Sequence, residues 1–558
     1  MKLRILFTPI LLLATTILWA ATALIPPLIP PLKGELSLSA NFGELRPNHF
    51  HSGVDFKTGG ETGKPILAVA DGYVSAVEVS PWGFGRAIYV THPALGLVTV
   101  YGHLESFATE IDRVVRDAQY AQERFDIEME WGPEVFPVKA GQEIGRSGNA
   151  GSSGGPHLHF DVRDLATGDP TDPLPYYKNL IRDTSRPYWK QLYLYPDRNR
   201  GLVNNRYTPT SIDKGDEKVF TAWGRVFPAI RCNDAMDGNS NIYGVKTLIL
   251  TVDGKRVMGR TINRFSLNCT RAINTLVDYD LLINSGRWAE WSHIPLTAPL
   301  TGLTGFTPAY GAVNVNQERD YRCKWIMIDE HGNRAEVDFI IRGKKPVEMP
   351  PYEPSGTLLR QGGYHSFHLP GMSLQLDRNA LADDAEVSVT ASASSGEHIV
   401  SDIYQFKTGR FPLINPAIIT LKLPANVDKT RACIISVSGE SVSAIESKID
   451  GNNITASISR PGRYAIAIDS RAPAIENVAA DGERGYIAWR ITDDISGIKT
   501  YRVTIDGKWA LAELDGKNNL VEFKMDPTRF ERNTDHTAVI TVTDAAGNTA
   551  RSEAGFRW

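Results

Sequence analysis

Three short stretches of the sequence combine histidine with aspartate or with a second histidine. They are residues 51–55 (His-Ser-Gly-Val-Asp), 101–104 (Tyr-Gly-His-Leu) and 155–160 (Gly-Pro-His-Leu-His-Phe). Imidazole nitrogens and carboxylate oxygens are good ligands for a borderline metal ion such as Zn²⁺. No cysteine lies near these stretches, which excludes a structural zinc site of the cysteine type. A His/Asp set with an open fourth position is instead the arrangement of a catalytic metal.

The third stretch carries two histidines, His157 and His159, on a predicted strand. Because one residue separates them, both side chains point to the same face of the sheet. One ring can bind a metal while the other reaches a substrate beside it, and the alternation alone does not decide which. In the first stretch, Gly53 lies between His51 and Asp55 and would let the backbone bend so that both side chains converge.

Short strands and glycine-rich turns must position these residues. Two pairs of apolar runs predict hairpins, namely residues 66–70 with 73–77 around Asp71-Gly72, and residues 87–90 with 97–101 around residues 93–96. Residues 107–128 contain no Gly or Pro and carry apolar side chains at helical spacing, so they predict an inserted helix. This helix is either a surface flap on the β core or one wall of a substrate groove.

In this order and context, the three stretches resemble the LytM/lysostaphin-type zinc metalloendopeptidases, which cut peptidoglycan peptides. The sequence around them agrees with the resemblance at residues 42–46, 70–74 and 145–151. The match covers about residues 37–165, less than a third of the chain, and three ordered stretches are far more specific than a single H-x-H. The insertion at residues 107–128 departs from the family pattern and bears on groove shape and substrate range.

The resemblance implies the roles of five residues. His51, Asp55 and His159 would bind one Zn²⁺ ion per catalytic domain, and His103 and His157 would be the catalytic histidines. The catalytic pair would orient or deprotonate the water on the zinc and stabilise the oxyanion. A neutral imidazole can accept a proton near neutral pH, and an imidazolium can donate a hydrogen bond to an oxyanion. Which of His103 and His157 is the general base stays open.

The fold class predicted for the whole chain is mainly β, in several domains. The resemblance implies that residues 24–170 form a β-rich peptidase domain, similar to the duplicated hybrid motif, with one inserted helix. Prolines punctuate residues 171–203, which predicts a linker. Three β-sandwich-type domains are predicted to follow, an immunoglobulin-like domain at 204–345, a β-rich domain at 346–470 and a second immunoglobulin-like domain at 471–558.

An internal repeat relates the two immunoglobulin-like domains. Residues 241–247 lead to Asp253-Gly254 with the spacing by which residues 494–500 lead to Asp506-Gly507. The copies also end alike, at residues 329–333 and 544–548. The two Asp-Gly pairs predict hairpin turns rather than calcium sites.

The N-terminus predicts export. Lys2 and Arg4 precede an apolar run, and Ala21-Thr22-Ala23 fits a cleavage site, so residues 1–23 are interpreted as a secretory signal peptide. The expected location is periplasmic or extracellular in the cell envelope, with no membrane span in the mature protein. The four cysteines would then meet oxidising conditions, and three of them, Cys232, Cys269 and Cys323, share one segment that could supply one bridge.

Together these features predict an exported zinc-dependent endopeptidase that cleaves peptide cross-links or stem peptides of bacterial peptidoglycan by metal-activated water. Its expected partners are peptidoglycan peptides, with wall or surface-protein partners for the C-terminal β-sandwiches. A net charge of −4 removes the usual electrostatic argument for nucleic-acid binding. The alternative is a non-catalytic cell-wall-binding or hydrolase-regulating scaffold, against which the complete ligand set argues.

Overall fold

The computed structural model describes residues 27–295, 300, 303, 308–394 and 396–558. The predicted signal peptide, residues 1–23, lies outside these ranges. The chain is mainly β, which confirms the predicted fold class. Among the described helices, none has the length and apolar character needed to cross a membrane.

The first domain contains a nine-stranded antiparallel sheet, a three-stranded sheet and a two-stranded ribbon. Its elements are β1 (Leu38–Ala40), β2 (Leu45–Arg46), β3 (His49–Phe50), β4 (Val54–Lys57), β5 (Pro65–Leu67), β6 (Gly72–Val79), β7 (Arg86–His92), β8 (Leu97–Gly102), β9 (Leu104–Phe107), α1 (Thr109–Gln122), β10 (Ile127–Glu130), β11 (Pro137–Val138), β12 (Glu143–Ser147), β13 (His157–Asp164), β14 (Pro170–Thr171) and α2 (Leu174–Tyr177). The large sheet has the order β1-β4-β13-β8-β7-β6-β10, with β11 on β6 and β14 on β13. The small sheet has the order β5-β12-β9, and both sheets contribute to one apolar core.

Strand β13 lies between β4 and β8, and this central position determines how its side chains alternate. Leu158, Phe160 and Val162 are fully buried in the apolar core. The intervening His157, His159 and Asp161 therefore point to the opposite face.

One predicted hairpin is confirmed and the other is wrong. Strands β7 and β8 pair directly, with His92 opposite Leu97 across the turn. Strands β5 and β6 do not pair, because β5 joins β12 in the small sheet while β6 joins β7 in the large one. The Asp71-Gly72 segment therefore connects the two sheets. The Asp71 carboxylate stabilises this connection by accepting a hydrogen bond from the backbone N–H of Ala140.

The predicted inserted helix is confirmed as α1, with narrower bounds than residues 107–128. Its inner face buries Ile111 and Val115 against the first domain, at the helical spacing seen in the sequence. The last helical residue is Gln122. The next residue, Glu123, has a left-handed backbone, and its N–H donates to carbonyl oxygens of the last helical turn.

The second domain is one nine-stranded sheet around a separate core. Its elements are β15 (Tyr188–Val203), β16 (Thr210–Asp213), β17 (Val219–Asn233), β18 (Thr247–Val252), β19 (Lys255–Thr261), a 3-10 helix (Leu267–Leu276), α3 (Tyr279–Ser285), β20 (Glu290–Trp291), a second 3-10 helix (Pro308–Gly311), β21 (Val313–Val315), β22 (Asp320–Ile328) and β23 (Arg334–Gly343). The order is β16-β15-β17-β23-β22-β18-β19, with β20 and β21 on β17.

The segment predicted as a linker, residues 171–203, differs from that expectation. Its second half is β15, a 16-residue strand that pairs with β17 on both sides of an irregularity after Pro196. Pro173 is the residue that precedes α2 and Pro175 lies in its first turn, where a proline removes no intrahelical hydrogen bond. These prolines therefore mark the start of a helix rather than an extended linker.

The third and fourth domains are each built from two sheets around one core. The third domain comprises β24 (Thr357–Leu359), β25 (His365–Leu369), β26 (Met372–Leu376), β27 (Ala385–Ser392), β28 (Ile403–Lys407), β29 (Ala417–Lys422), a 3-10 helix (Lys429–Arg431), β30 (Ala432–Ser438), β31 (Ser441–Ile445), β32 (Ser447–Asp450), β33 (Asn453–Ile458) and β34 (Gly462–Ile468). The fourth comprises β35 (Ala474–Asp481), β36 (Tyr486–Thr492), β37 (Ile498–Ile505), β38 (Lys508–Trp509), β39 (Glu513–Asp515), β40 (Leu520–Lys524), β41 (Asp535–Asp544) and β42 (Thr549–Arg557).

Both Asp-Gly pairs form two-residue hairpin turns, as predicted. Asp253 and Gly254 connect β18 to β19, and Asp506 and Gly507 connect β37 to β38. All four residues have positive φ, the backbone that such turns require. The bridge considered for Cys232, Cys269 and Cys323 is absent, because these three cysteines are free thiols in the structure.

Candidate metal centre

Three potential ligand atoms, one each from His51, Asp55 and His159, form the corners of a small triangle. Nε2 of His51, Oδ1 of Asp55 and Nδ1 of His159 are each 3.0 Å from the other two. Ligands about 2.0–2.1 Å from a tetrahedral zinc ion are about 3.3 Å apart, so this triangle is within a few tenths of an ångström of a zinc site. The three side chains are almost completely buried.

The pairing of strands explains this convergence. His159 on β13 lies directly opposite Asp55 on β4, and on its other side it lies opposite Gly102, the last residue of β8. Gly53 was expected to let the backbone bend, but the structure gives this glycine a different role. A Cβ at Gly53 would overlap the backbone oxygen of Phe160, so this glycine allows the chain that leads into β4 to lie against β13.

A buried carboxylate orients the His159 ring. The Nε2–H of His159 donates to Oδ1 of Asp161 over 2.6 Å, which leaves Nδ1 as the lone pair that faces the triangle. Asp161 is in turn held by Arg163, whose Nε and Nη2 donate to Oδ2 at 2.9 and 2.6 Å, and by the Ser52 hydroxyl at 3.0 Å. Sequence reasoning missed Asp161, although its position two residues after His159 on a strand was a signal for the same face.

The other two ligand side chains are also fixed through their second polar atom. Nδ1–H of His51 donates to the backbone oxygen of Asn41 over 2.8 Å, which leaves Nε2 as the lone pair in the triangle. Arg46 donates from Nη2 to Oδ2 of Asp55 over 3.0 Å. Both partners come from the segment before β3, which the sequence patterns did not connect to the ligands.

His103 and His157 lie beside the triangle with their Nε2 atoms available. His103 donates from Nδ1 to the backbone oxygen of Ala150, and His157 donates from Nδ1 to the backbone oxygen of Gly155, both over 2.8 Å. The ring centroids are 4.8 Å apart, and Nε2 of His157 is 3.5 Å from Oδ1 of Asp55. Since a carbonyl oxygen only accepts, each neutral ring keeps Nε2 as a proton acceptor.

The pKa values of these buried groups are shifted in different directions. Burial lowers the pKa of His51 and lowers the pKa of His103 to about 3. Burial also disfavours a charged His159, but the Asp161 and Asp55 carboxylates together outweigh it and raise the pKa of His159 to about 9, so a metal ion bound at Nδ1 displaces a proton. Burial disfavours a charged Asp55 as well, yet the neighbouring imidazoles hold the pKa of Asp55 well below its usual range.

Helix α1 lines a groove whose lining includes none of the five predicted site residues. The groove has a volume of about 440 Å³ and runs between α1, residues 148–151 and the fourth domain. Residues 148–151 include Ala150, which accepts the hydrogen bond from His103. The structure therefore favours the groove-wall interpretation of α1 over a surface flap.

The fourth domain forms the opposite wall by contacting the first domain. The rings of Tyr120 on α1 and Trp509 are 5.1 Å apart and perpendicular, and the Arg529 guanidinium lies 3.5 Å from the Tyr120 ring centre. Arg86 forms an ion pair with Glu513 at the same boundary.

Known proteins match two separate parts of the chain. Residues 49–121 match the family described as Peptidase family M23, and residues 357–469 match the family described as Zu5-like domain. The DD-carboxypeptidase/endopeptidase Mpg of Neisseria meningitidis is 31% identical over 124 residues, which are 22% of this chain and 22% of that protein. The glycyl-glycine endopeptidase ALE-1 of Staphylococcus capitis is 32% identical over 174 residues, 31% of this chain and 39% of that protein.

Among solved structures, the catalytic domain of lysostaphin from Staphylococcus simulans is 26% identical. The likeness covers 26% of this chain and 92% of that one, with a TM-score of 0.19. The chain thus spans about a fifth to two fifths of the length of these curated relatives. Its N-terminal part carries a peptidase M23 domain, whose matched residues include His51, Asp55 and His103, while His157 and His159 follow the matched range.

Proposed function

We propose that the chain is an exported zinc-dependent endopeptidase that cleaves peptide cross-links or stem peptides of bacterial peptidoglycan. The observation that carries this proposal is the buried triangle of His51, Asp55 and His159 with sides of 3.0 Å. Two imidazole nitrogens and one carboxylate oxygen are a donor set for zinc that leaves a fourth position free.

The surrounding hydrogen bonds fit these residues to the metal. His51 and His159 each donate one ring N–H to an oxygen, so their other nitrogens are lone pairs that meet at the triangle. When bound, Zn²⁺ supplies a water of lowered pKa, near about 7, and polarises the scissile carbonyl. Asp161 and the Asn41 carbonyl hold the rings so that no reorientation is needed on binding.

His103 and His157 act as the proton-transferring pair. Each has its Nδ1–H committed to a backbone carbonyl, so the neutral ring accepts a proton at Nε2 and afterwards donates it from the same atom. The same Nε2–H, when present, is a hydrogen-bond donor for a developing oxyanion. His103 has a left-handed backbone, φ 62°, at the single position between the end of β8 and the start of β9.

The groove beside α1 provides the place for an extended peptide. Its lining combines polar and charged side chains from α1, such as Asp112 and Arg116, with the fourth domain. Mpg is named as a DD-carboxypeptidase/endopeptidase and ALE-1 as a glycyl-glycine endopeptidase, so the two names refer to different bonds. We favour a cross-link containing D-amino acids, and mass spectrometry of the released fragments identifies the bond.

The three C-terminal domains position the peptidase on the cell wall, on a surface-protein partner or on surface glycans. The fourth domain contacts α1, so the position of this domain affects one wall of the groove. Export to the cell envelope follows from the predicted signal peptide.

Digestion of purified peptidoglycan tests the proposal. The intact protein should release new amino termini, lose this activity in a chelator and regain it with Zn²⁺, while His51→Ala and His159→Ala remain inactive. His49→Ala is the matched control, because His49 is exposed and its ring has a hydrogen bond only to the Pro47 carbonyl among the described groups. If the intact protein binds peptidoglycan but releases no new amino termini in any metal condition, the scaffold alternative replaces the enzyme.

A further inference from the structure

Two clusters of three aspartates lie outside the peptidase site. In the first, carboxylate oxygens of Asp183, Asp234 and Asp329 all lie within 4.8 Å of one another. These residues are 7%, 1% and 5% exposed, so the cluster is buried. The second cluster has the same spacing and consists of Asp469, Asp493 and Asp544.

The internal repeat places the two clusters at equivalent positions. Asp329 and Asp544 each accept the N–H of the asparagine four residues later, Asn333 or Asn548, over 2.8 Å. The Nδ2 of that asparagine also donates, over 3.1 Å, to the backbone oxygen of the first aspartate of its cluster.

The remaining two members also correspond. Asp234 follows the last residue of β17, and Asp493 follows the last residue of β36. Asp183 precedes β15, and Asp469 precedes β35. The same three carboxylates are thus brought together in both domains.

In the first cluster, two buried oxygens have no hydrogen-bond donor. Oδ2 of Asp183 and Oδ1 of Asp234 accept no hydrogen bond among the described residues, although the Asp183 side chain is completely buried. An anionic oxygen that is buried without a donor or a cation is strongly disfavoured. Two such oxygens in one cluster therefore need either a bound proton or a cation between them.

His331 lies beside the first cluster, but it cannot be the positive partner of both clusters. Its Nδ1 is 3.6 Å from Oδ2 of Asp183, too far for a hydrogen bond, while its Nε2 contacts the backbone oxygen of Ile181 at 2.9 Å. In the second cluster the equivalent position is Ala546. The described part of the second cluster contains no cationic side chain within ion-pair distance of Asp469, Asp493 or Asp544.

We infer that Asp183, Asp234 and Asp329 form a Ca²⁺ site, and that the repeat forms its counterpart from Asp469, Asp493 and Asp544. The ligands proposed for both sites are carboxylate oxygens, which suit a hard cation such as Ca²⁺ better than zinc. Oxygens at about 2.3–2.6 Å from Ca²⁺ are at most about 5 Å apart, so carboxylate oxygens within 4.8 Å of one another can reach the same ion.

Each site joins a domain to the chain that enters it. Asp183 belongs to the segment between α2 of the first domain and β15 of the second, and Asp469 to the segment between β34 of the third domain and β35 of the fourth. A cation bound there fixes the entering segment to two strand ends of the following domain. Calcium therefore stiffens two of the domain junctions.

Equilibrium dialysis of the full chain with radioactive Ca²⁺ tests this inference. The wild-type chain should bind two Ca²⁺ ions, Asp234→Asn one, Asp493→Asn one, and the double variant none. Asp338→Asn is the matched control, because Asp338 is exposed on β23 of the second domain, and it should still bind two. Each asparagine preserves the side-chain shape, and circular dichroism checks the fold.

Three outcomes would overturn the inference. One is the absence of Ca²⁺ binding by the wild-type chain up to millimolar concentrations. Another is an unchanged stoichiometry of two in both Asp234→Asn and Asp493→Asn. The third is complete displacement of bound Ca²⁺ by an equal concentration of Mg²⁺, which would remove the assignment to calcium. Should Asp234→Asn fail to fold, Asp493→Asn in the other domain decides the question, and peptidase activity enters none of these readouts.

Discussion

Nδ1 of His159 and Oδ1 of Asp55 lie 3.0 Å apart on residues that are directly paired across β13 and β4. Two of the three candidate ligands are therefore fixed by strand register alone. A shift of one residue between these strands would turn His159 to the other face of the sheet. The third ligand, His51, reaches the same point from the loop before β4.

Removing the charge of Asp161 should weaken metal binding without unfolding the domain. In Asp161→Asn, the His159 Nε2–H loses its anionic acceptor, so the ring is less firmly oriented and its Nδ1 is less basic. We expect zinc affinity to fall by about 10–100-fold, measured with a competing chelator. Asp126→Asn is the control because Asp126 is exposed on the same domain, and an unchanged zinc affinity in Asp161→Asn would contradict the orienting role.

The two histidines of β13 should separate into metal-binding and catalytic roles. His159→Ala should lose zinc because it removes one corner of the triangle. His157→Ala should retain zinc but lose about 10²–10⁴-fold in kcat, since it removes only a proton-transfer group. Metal content and kcat are measured on the same preparations, and loss of zinc from His157→Ala would show that the two roles are reversed.

Gly53 should tolerate no side chain. In Gly53→Ala the new Cβ would overlap the Phe160 carbonyl oxygen, so β4 must move away from β13 and carry Asp55 out of the triangle. We expect a loss of about 1–3 kcal/mol in the free energy of unfolding together with weaker zinc binding. Gly154→Ala is the matched control, since its Cβ would meet no atom within 4 Å. Equal stability of the two variants would refute the close-approach explanation.

The candidate ligands came from the resemblance of three short stretches to a family of zinc endopeptidases, and local spacing supported only part of that assignment. His157 and His159 follow strand alternation, and His51 and Asp55 lie within one short motif. Asp161 follows the same alternation and was within reach of the same reasoning. Arg46 and Asn41 were not, because they contact the ligands only after the segment before β3 has folded against the sheet.

The elements that sequence reasoning placed wrongly depend on contacts distant in the chain. Strands β5 and β6 are adjacent in sequence and separated by Asp71-Gly72, yet each pairs with a different sheet. Strand β15 was hidden by the prolines before it, and its partner β17 begins 16 residues after β15 ends. Proline frequency reports on local backbone restriction, and it does not show which distant strand will pair.

Loosening the fourth domain from α1 should expose this helix without abolishing catalysis. Trp509→Ala removes the ring that meets Tyr120, while the candidate metal centre is left intact. We expect faster hydrogen exchange in residues 109–122, measured by mass spectrometry, and altered preference among peptidoglycan fragments of different length. Trp223→Ala is the comparison variant because Trp223 is a half-buried tryptophan on β17 of the second domain; unchanged exchange in Trp509→Ala would mean that the contact does not restrain the helix.

The stability of the second domain should depend on pH through Asp234. Burial, followed by the nearby Asp329 and Asp183 carboxylates, raises the pKa of Asp234 from 3.8 to about 8 when no cation is bound. Asp183 in turn faces His331 and Asp237. Between about pH 4 and about pH 8 the folded chain then holds a proton that the unfolded chain releases, so the free energy of unfolding falls as pH rises through this window.

Asp234→Asn removes this slope, so in a chelator at about pH 8 the variant should melt at a higher temperature than wild type. At about pH 4 the two should melt at nearly the same temperature. Saturating Ca²⁺ at pH 8 should reverse the order, because only the wild-type cluster gains the cation. Differential scanning fluorimetry gives the melting temperature under each of these conditions. If the variant melts below wild type in the chelator at pH 8, the ionised Asp234 carboxylate does not destabilise the fold.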